Sequence, residues 1–373
     1  MTDPGAREKS KATREPKATR EPKATRETLA RVAFLPGWAI LAGMTAAFAL
    51  GASVPPRYRW IPLAASVVVL GLPHGAVDHL LLPRARDERP GRRWFASVGV
   101  VYAVLGGLYA IAWFTRPMAA FGGFIALTWF HWGTGELYPL ASLAGAEHLE
   151  TRGMRTATAA VRGAIPMGLP LVAFPDRFSA VAELLVRPFA GEAAGAGEAA
   201  AAGEAAAAAL EPFLRADVRV AILVCICGLA AWTLAVGGVR ARRMDAVRGW
   251  VLDAGETALL VAFFGLVPPV LAVGTYFCVW HSLRHVVRAT ALDARSTPSL
   301  SAGRIAPALR RFARDAAPLS AGGLLLLGGI VVAVPRSPGT PVELIGVYLV
   351  TVATLTLPHA AIVAGLDREQ GLL

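Results

Sequence analysis

The sequence predicts an all-α fold, a polytopic integral membrane helical bundle of about ten transmembrane helices, within a range of about eight to ten. Hydrophobic residues make up 55% of the 373-residue chain and charged residues only 17%. Those charges are too few to cover the surface of a soluble protein of this length. The mean hydropathy is +0.51. Apolar runs of spanning length recur along the chain, separated by arginine-rich segments.

Residues 1–30 are predicted to form a disordered basic tail. A three-fold repeat, KATREP, KATREP and KATRET, lies between Lys11 and Thr28. Such a polar segment of mixed charge buries too little apolar surface to fold alone. Residues 31–373 are predicted to form a single transmembrane domain, with a low-complexity Ala/Glu/Gly loop at 190–210.

Ten apolar runs follow the tail, each long enough to cross a bilayer. Five precede the Ala/Glu/Gly loop: Val32–Val54, Trp60–Leu82, Trp94–Phe114, Pro117–Leu143 and Ala157–Phe174. Five follow it: Val218–Val239, Trp250–Leu266, Val270–Val287, Ala317–Val334 and Val342–Leu366. The fifth run is the weakest of them, because it carries Arg162, Pro166 and Pro170.

The arginines predict how the runs are oriented. Connections rich and poor in arginine alternate: those at 84–93, 240–248 and 295–314 carry four or five each, and those near 116 and 336 carry one. The positive-inside rule then places both termini in the cytoplasm of a multi-pass protein of the cell membrane. The net charge of +11 follows this loop pattern, so we expect membrane lipid and no nucleic acid as a partner.

Six of the seven histidines lie inside predicted spans: His74, His79, His131, His281, His285 and His359. His148 lies outside and is predicted to be a surface residue. Ionisable groups are costly in a bilayer, so a histidine there is by default a functional hypothesis.

The depth of these histidines is the stronger argument. They occupy even-numbered spans, which all cross in the same direction. His74 and His131 each follow the start of their span by 14 residues. At a rise of about 1.5 Å per residue, the five other than His79 lie within roughly one and a half turns of one depth, and His79 lies one residue beyond that range. The sequence therefore predicts that histidines from separate helices converge on one point.

The spacing of these residues favours a metal ion. His281 and His285 are four apart in WHSLRH, so both face one side of a helix and can bind one ion. Asp78 is four after His74, where a carboxylate can accept a hydrogen bond from a metal-binding imidazole. His79 lies about 140° round the helix from His74, unless Pro73 and Gly75 distort it. Imidazole suits iron, copper, zinc and nickel.

Four separated motifs carry a family resemblance. They are PHGAVDH (73–79), FHWGTGE (130–136), WHSLRH (280–285) and PHAAIVAGLDREQG (358–371). In this order they resemble the Brp/Blh family of membrane β-carotene 15,15′-dioxygenases. Glu136 stands where the family more often has Asp. The N-terminal repeat and the Ala/Glu/Gly loop match nothing in the family.

This resemblance implies that the 31–373 domain is catalytic. It implies oxygen-dependent central cleavage of β-carotene, drawn from the bilayer, to two molecules of retinal, which would supply a microbial rhodopsin. It also implies a non-haem Fe(II) centre with dioxygen as co-substrate. Carried over by motif, the iron ligands and catalytic residues are His74, His131, His281 and His285.

Two further groups of residues are candidates around that centre. Polar residues that would orient the imidazoles, or contact substrate, are Asp78, His79, Glu136, Glu256 and His359. Aromatic residues that would line a polyene channel are Trp129, Trp132, Tyr276, Phe277 and Trp280. Ordinary packing competes with the channel role for every one of these aromatic residues.

Three other functions compete with this interpretation. A membrane haem protein also uses histidines on facing helices, but usually in pairs at separated depths. A metal-ion transporter predicts acids and histidines strung along a path through the membrane. A di-iron hydroxylase or desaturase predicts more histidine boxes than the single HxxxH at 281–285.

Overall fold

A computed structural model describes residues 22–189, 204 and 207–373. The described residues form helices and no β-strand, which confirms the predicted all-α class. The first part of the bundle contains α1 (Lys23–Ala49), α2 (Ile61–Ser66), α3 (Gly71–Gly75), α4 (Asp78–Ala85), α5 (Arg92–Val101), α6 (Gly107–Thr115), α7 (Pro117–Gly135), α8 (Arg152–Ala173) and α9 (Pro175–Val186). The second part contains α10 (Ala216–Arg243), α11 (Val247–Leu266), α12 (Pro269–Tyr276), α13 (Leu283–Leu292), α14 (Thr297–Ser301), α15 (Ala306–Ala333) and α16 (Pro341–Glu369).

The membrane character of the bundle is confirmed, with a smaller number of clear spans than the ten apolar runs. Seven helical segments in the described ranges are long and apolar enough to cross a bilayer, or eight if the bent pair α8–α9 is one span. The fourth and eighth runs are helical but are not among them. Polar side chains lower the mean hydropathy of both runs, including His131 in the fourth and Arg284 in the eighth.

The second predicted span is broken into α2, α3 and α4. Pro73 has no N–H, and in a continuous helix its ring would clash with the carbonyl four residues earlier. The chain therefore leaves the helix before α3, and again between Gly75 and Asp78. This second break turns Asp78 relative to His74, so a four-residue spacing no longer places the two on one face.

The fifth predicted span corresponds to α8, and the chain bends by 109° after it, between α8 and α9. α8 packs tightly on α7. A Cβ added at Gly133 would lie 2.0 Å from the Ala159 carbonyl oxygen, and one at Gly163 would lie 2.0 Å from that of Trp129. Only glycine permits this approach of two backbones, as in other membrane helix pairs. The crossing carries Arg162 of α8 into the interior beside the end of α7.

Three π-helical turns interrupt the helices, at Tyr102–Gly106, Pro139–Leu143 and Phe277–Ser282. Such turns are rare and often mark functional sites. The third joins α12 to α13 and carries His281.

The tail boundary differs from the prediction. α1 begins at Lys23, the first residue of the last repeat copy, so residues 23–30 belong to the helix and not to the tail. The rest of the predicted tail lies outside the described residues, as does most of the Ala/Glu/Gly loop.

Candidate metal centre

Five histidines from five parts of the chain meet inside the bundle. They are His74 on α3, His131 on α7, His281 on the third π-turn, His285 on α13 and His359 on α16, and all are buried. The ring centroids of His74 and His359 are 5.0 Å apart, and those of His131 and His359 are 4.7 Å apart. The structure thus brings together five of the six histidines that lie inside predicted spans.

The ring nitrogens of this cluster suit a metal ion. The Nε2 atoms of His131 and His281 are 3.2 Å apart. Two imidazole nitrogens bound to one ion, each at about 2.1 Å, are separated by at most about 4.2 Å. One potential ligand atom from each of His74, His131 and His359 lies within 4.8 Å of the other two.

Two of the histidines present a nitrogen without a partner. In the part of the chain that the structure describes, the buried Nε2 atoms of His285 and His359 make no hydrogen bond. A buried polar atom left unpaired is costly and calls for an explanation. A metal ion bound by these nitrogens would remove the cost, so the residues present fit a metal that prefers imidazole.

Asp78 orients His359. The Nδ1–H of His359 donates to the two carboxylate oxygens of Asp78 at 2.8 and 2.9 Å, and the Tyr102 hydroxyl donates to the same carboxylate at 2.6 Å. This fixes the proton on Nδ1 and leaves the Nε2 lone pair facing the cluster, as in carboxylate–histidine–metal arrangements.

The sequence spacing pairs Asp78 with His74 instead, and the structure differs on this point. His74 Nδ1 contacts the Gly71 carbonyl oxygen and lies 3.4 Å from the Ser282 hydroxyl. The break after Gly75 separates the two residues and turns Asp78 towards α16.

His79 lies apart from the cluster. Its ring packs on Phe95 with centroids 5.7 Å apart. Its carbonyl oxygen accepts a hydrogen bond from the Trp94 indole at 2.7 Å.

A buried ion network lies beside the cluster, formed by Glu136, Arg162, Asp253, Glu256 and Arg284. Arg162 Nη2 is 2.6 Å from Asp253 Oδ1 and 3.3 Å from Glu256 Oε2. Arg284 Nη1 donates to Glu136 at 2.7 Å, and Nη2 donates to Glu256. Each charge therefore has partners of opposite sign, which a charge at bilayer depth requires.

This network ties the helices that carry the ligand candidates. Glu136 follows His131 on α7, and Arg284 lies between His281 and His285. Trp280 joins the same contact: its indole N–H donates to Glu136 at 3.0 Å, and the Arg284 guanidinium lies 3.8 Å from its ring centre. Glu136 and Glu256, proposed from sequence as orienting groups, thus contact arginines and indoles and no cluster imidazole.

His148 corrects one sequence prediction. It is buried and not at the surface, and its Nε2 lies 3.1 Å from Asp253 Oδ2. In the sequence, Arg162 is the residue that indicates a buried polar cluster here, because an arginine inside an apolar run needs acids nearby. That signal does not reveal which acids or histidines supply the contact.

Two apolar cavities reach the cluster. The α9-side cavity, about 120 Å³, is lined by His74, His131 and His281 and by side chains of α7, α8, α9 and α12. The α15-side cavity, about 530 Å³, is lined by His74, His79 and His359 and by side chains of α5, α15 and α16.

The predicted channel aromatics divide between lining and packing positions. Trp132 and Phe277 line the α9-side cavity. Trp129 is 43% exposed, and its indole donates to the Ala160 carbonyl oxygen at 2.8 Å. Tyr276 and Trp280 are fully buried and line neither cavity.

The fold and the site together define a class: a multi-pass helical membrane protein with a buried histidine cluster between apolar cavities. The chain belongs to the β-carotene 15,15′-dioxygenase family, whose profile matches residues 65–367.

Relatives from Halobacterium salinarum agree with this assignment. The chain is 45% identical over 344 residues to a probable β-carotene 15,15′-dioxygenase Blh, covering 92% of this chain and 94% of the relative. It is 28% identical over 373 aligned positions to a probable β-carotene 15,15′-dioxygenase Brp, covering 92% and 98%. No solved structure matches the chain.

The ion network predicts a stability cost for Glu136→Gln. This change removes the charged acceptor of hydrogen bonds from Arg284 and the Trp280 indole, while Glu256 still pairs with Arg284, so we expect the free energy of unfolding to fall by about 1–3 kcal/mol. The measurement is the thermal unfolding midpoint in detergent. Glu27→Gln, in an exposed pair with Lys23, is the control and should change the midpoint little. Equal midpoints for both variants would contradict the structural role of the network.

Proposed function

We propose that this chain cleaves the central 15,15′ double bond of β-carotene with dioxygen and releases two molecules of retinal. The observation that carries the proposal is the cluster of five buried histidines, two with an unpartnered Nε2, which opens onto apolar cavities. Membership of the β-carotene 15,15′-dioxygenase family supports it. The reaction uses one dioxygen, and each cleaved carbon becomes an aldehyde.

The proposed cofactor is a non-haem Fe(II) ion held by His74, His131, His281 and His285, with His359 as a further ligand. The Nε2 distance between His131 and His281 and the free Nε2 of His285 support this set. His359 is included as a ligand because its hydrogen bond to Asp78 keeps the proton on Nδ1 and leaves Nε2 available to a metal. Neutral imidazoles hold a cation without adding negative charge to an apolar site. Iron bound there would supply the dioxygen chemistry that no side chain can supply.

The protein's own part is to position a long hydrocarbon and keep water away from it. Trp132 stacks on Phe277, with ring centroids 6.1 Å apart, at the wall of the α9-side cavity beside His281. Such flat apolar side chains hold a polyene without offering it a hydrogen-bonding partner. Oxidative cleavage at one defined bond requires that this double bond is held beside the metal.

The geometry favours this function over its competitors. The cluster rings pack against one another, with centroids 4.7 to 5.6 Å apart, which leaves no flat space for a porphyrin between facing imidazoles. The intramembrane acids Glu136, Asp253 and Glu256 are engaged by Arg162 and Arg284. They therefore form no free chain of ligands for a transported ion.

We also propose that the protein lies in the cell membrane with both termini in the cytoplasm. Two arginine-rich segments, at 84–93 and 295–314, meet at one end of the bundle, where Arg84 and Arg295 both pair with Asp315. Arg86 pairs with Glu369 at 3.0 Å, and Arg295 pairs with Asp315 at 3.0 Å. A single basic end is what the positive-inside rule requires. By its resemblance to the family, the retinal product would serve a microbial rhodopsin.

The activity is tested in a bacterium that accumulates β-carotene. Expression of the wild-type chain should convert carotene to retinal, detected by chromatography, whereas His281→Ala at equal protein level should yield none. Well-expressed, iron-loaded wild-type protein that leaves the carotene unchanged would contradict the proposed function.

The role of Asp78 is tested through iron binding. Asp78→Asn weakens the hydrogen bond that orients His359, so the dissociation constant for Fe(II) should rise about 10–100-fold. The measurement is an anaerobic iron titration of the purified protein in detergent. His79→Ala, at the adjacent position but outside the cluster, should bind iron like the wild type. If Asp78→Asn also binds like the wild type, His359 is not held for the metal by Asp78.

A further inference from the structure

The two cavities are built mostly by different helices, and the lining residues that they share among those described are His74, Val352 and Thr356. His74 belongs to the histidine cluster, and the other two lie on the inner face of α16. The cavities therefore meet at the cluster, and a molecule that occupied both would pass beside the histidines.

A substrate cleaved at its centre needs room on both sides of the reacting atoms. β-Carotene is symmetric about its central double bond, so when that bond lies at the histidines, two equal hydrocarbon halves must extend away from them. A single cavity ending at the cluster would accept only one half. Two apolar cavities that join there provide for both.

The α15-side cavity has the larger volume and an edge at the outer surface of the bundle. Phe95 on α5 and Leu319 on α15 line it and are 45% and 48% exposed. Leu326, about two helical turns after Leu319 on α15, lines the cavity as well. An apolar opening between two outer helices admits a hydrocarbon directly from the bilayer, where β-carotene is dissolved.

Resting on the proposed function, we propose that the α15-side cavity binds one half of the carotenoid, including its end ring, and thereby sets which double bond lies at the histidines. The other half extends into the α9-side cavity past Val352 and Thr356. The depth of the α15-side cavity is then the determinant of central cleavage, and its residues recognise the ring and chain by shape alone.

Two glycines on different helices line this cavity and are positions at which a larger side chain can be introduced. Gly99 on α5 and Gly322 on α15 line it, and a Cβ added at either meets no atom within 4 Å. Gly99→Phe and Gly322→Phe therefore introduce a ring without a backbone clash. Gly328→Phe is the matched control, because Gly328 lies on the same helix, is equally open and does not line the cavity.

The experiment compares two substrates on each purified, iron-loaded protein. β-Carotene has two identical halves, each with an end ring. β-Apo-8′-carotenal has one such half and one shortened half without a ring. We expect Gly322→Phe and Gly99→Phe to lower the ratio of retinal formed from β-carotene to retinal formed from β-apo-8′-carotenal by at least about tenfold. Gly328→Phe should leave the ratio at the wild-type value.

The ratio is independent of how much protein is folded, because both substrates are measured on one preparation. A wild-type ratio in both filled variants would overturn the inference while leaving the proposed function intact, and so would an equal loss with both substrates. If wild type and Gly328→Phe form no retinal from either substrate, the proposed function itself fails.

Discussion

Polar side chains buried at bilayer depth must find their partners inside the protein, because lipid offers none. The whole interior of this bundle is arranged around that constraint. Arg162 and Arg284 are placed among three acids, so that each charge lies beside a charge of opposite sign. The close α7–α8 crossing at Gly133 and Gly163 is what allows Arg162 to reach those acids. Helix packing and charge compensation thus depend on each other.

Two imidazole nitrogens of the histidine cluster lack a partner within the described residues. Asp78 pairs with His359 on one side of the ring, yet the opposite nitrogen remains without a partner, as does Nε2 of His285. A bound cation would complete both nitrogens, and the neighbouring ion network would then keep α7 and α13 in register for it.

Much of this arrangement could be predicted from the sequence. Equal depth in parallel spans predicts the convergence of the histidines, and the four motifs predict the family. Contacts between distant segments could not be predicted, because spacing reports only on neighbours along one helix. The pairing of Asp78 with His359 depends on the break after Gly75, and the burial of His148 depends on Asp253 of α11. The described residues contain seven or eight clear spans, near the lower end of the predicted range, because polar side chains lower the hydropathy of the fourth and eighth apolar runs.

X-ray absorption at the iron edge of the iron-loaded protein tests whether the buried histidines hold the metal. Iron bound by these histidines should have nearest neighbours that are nitrogen or oxygen only, with the multiple scattering that imidazole rings produce. That scattering should decrease in His359→Ala while some iron remains bound. A spectrum without imidazole scattering, or one with sulfur or porphyrin neighbours, would contradict the claim that the buried histidines hold the metal.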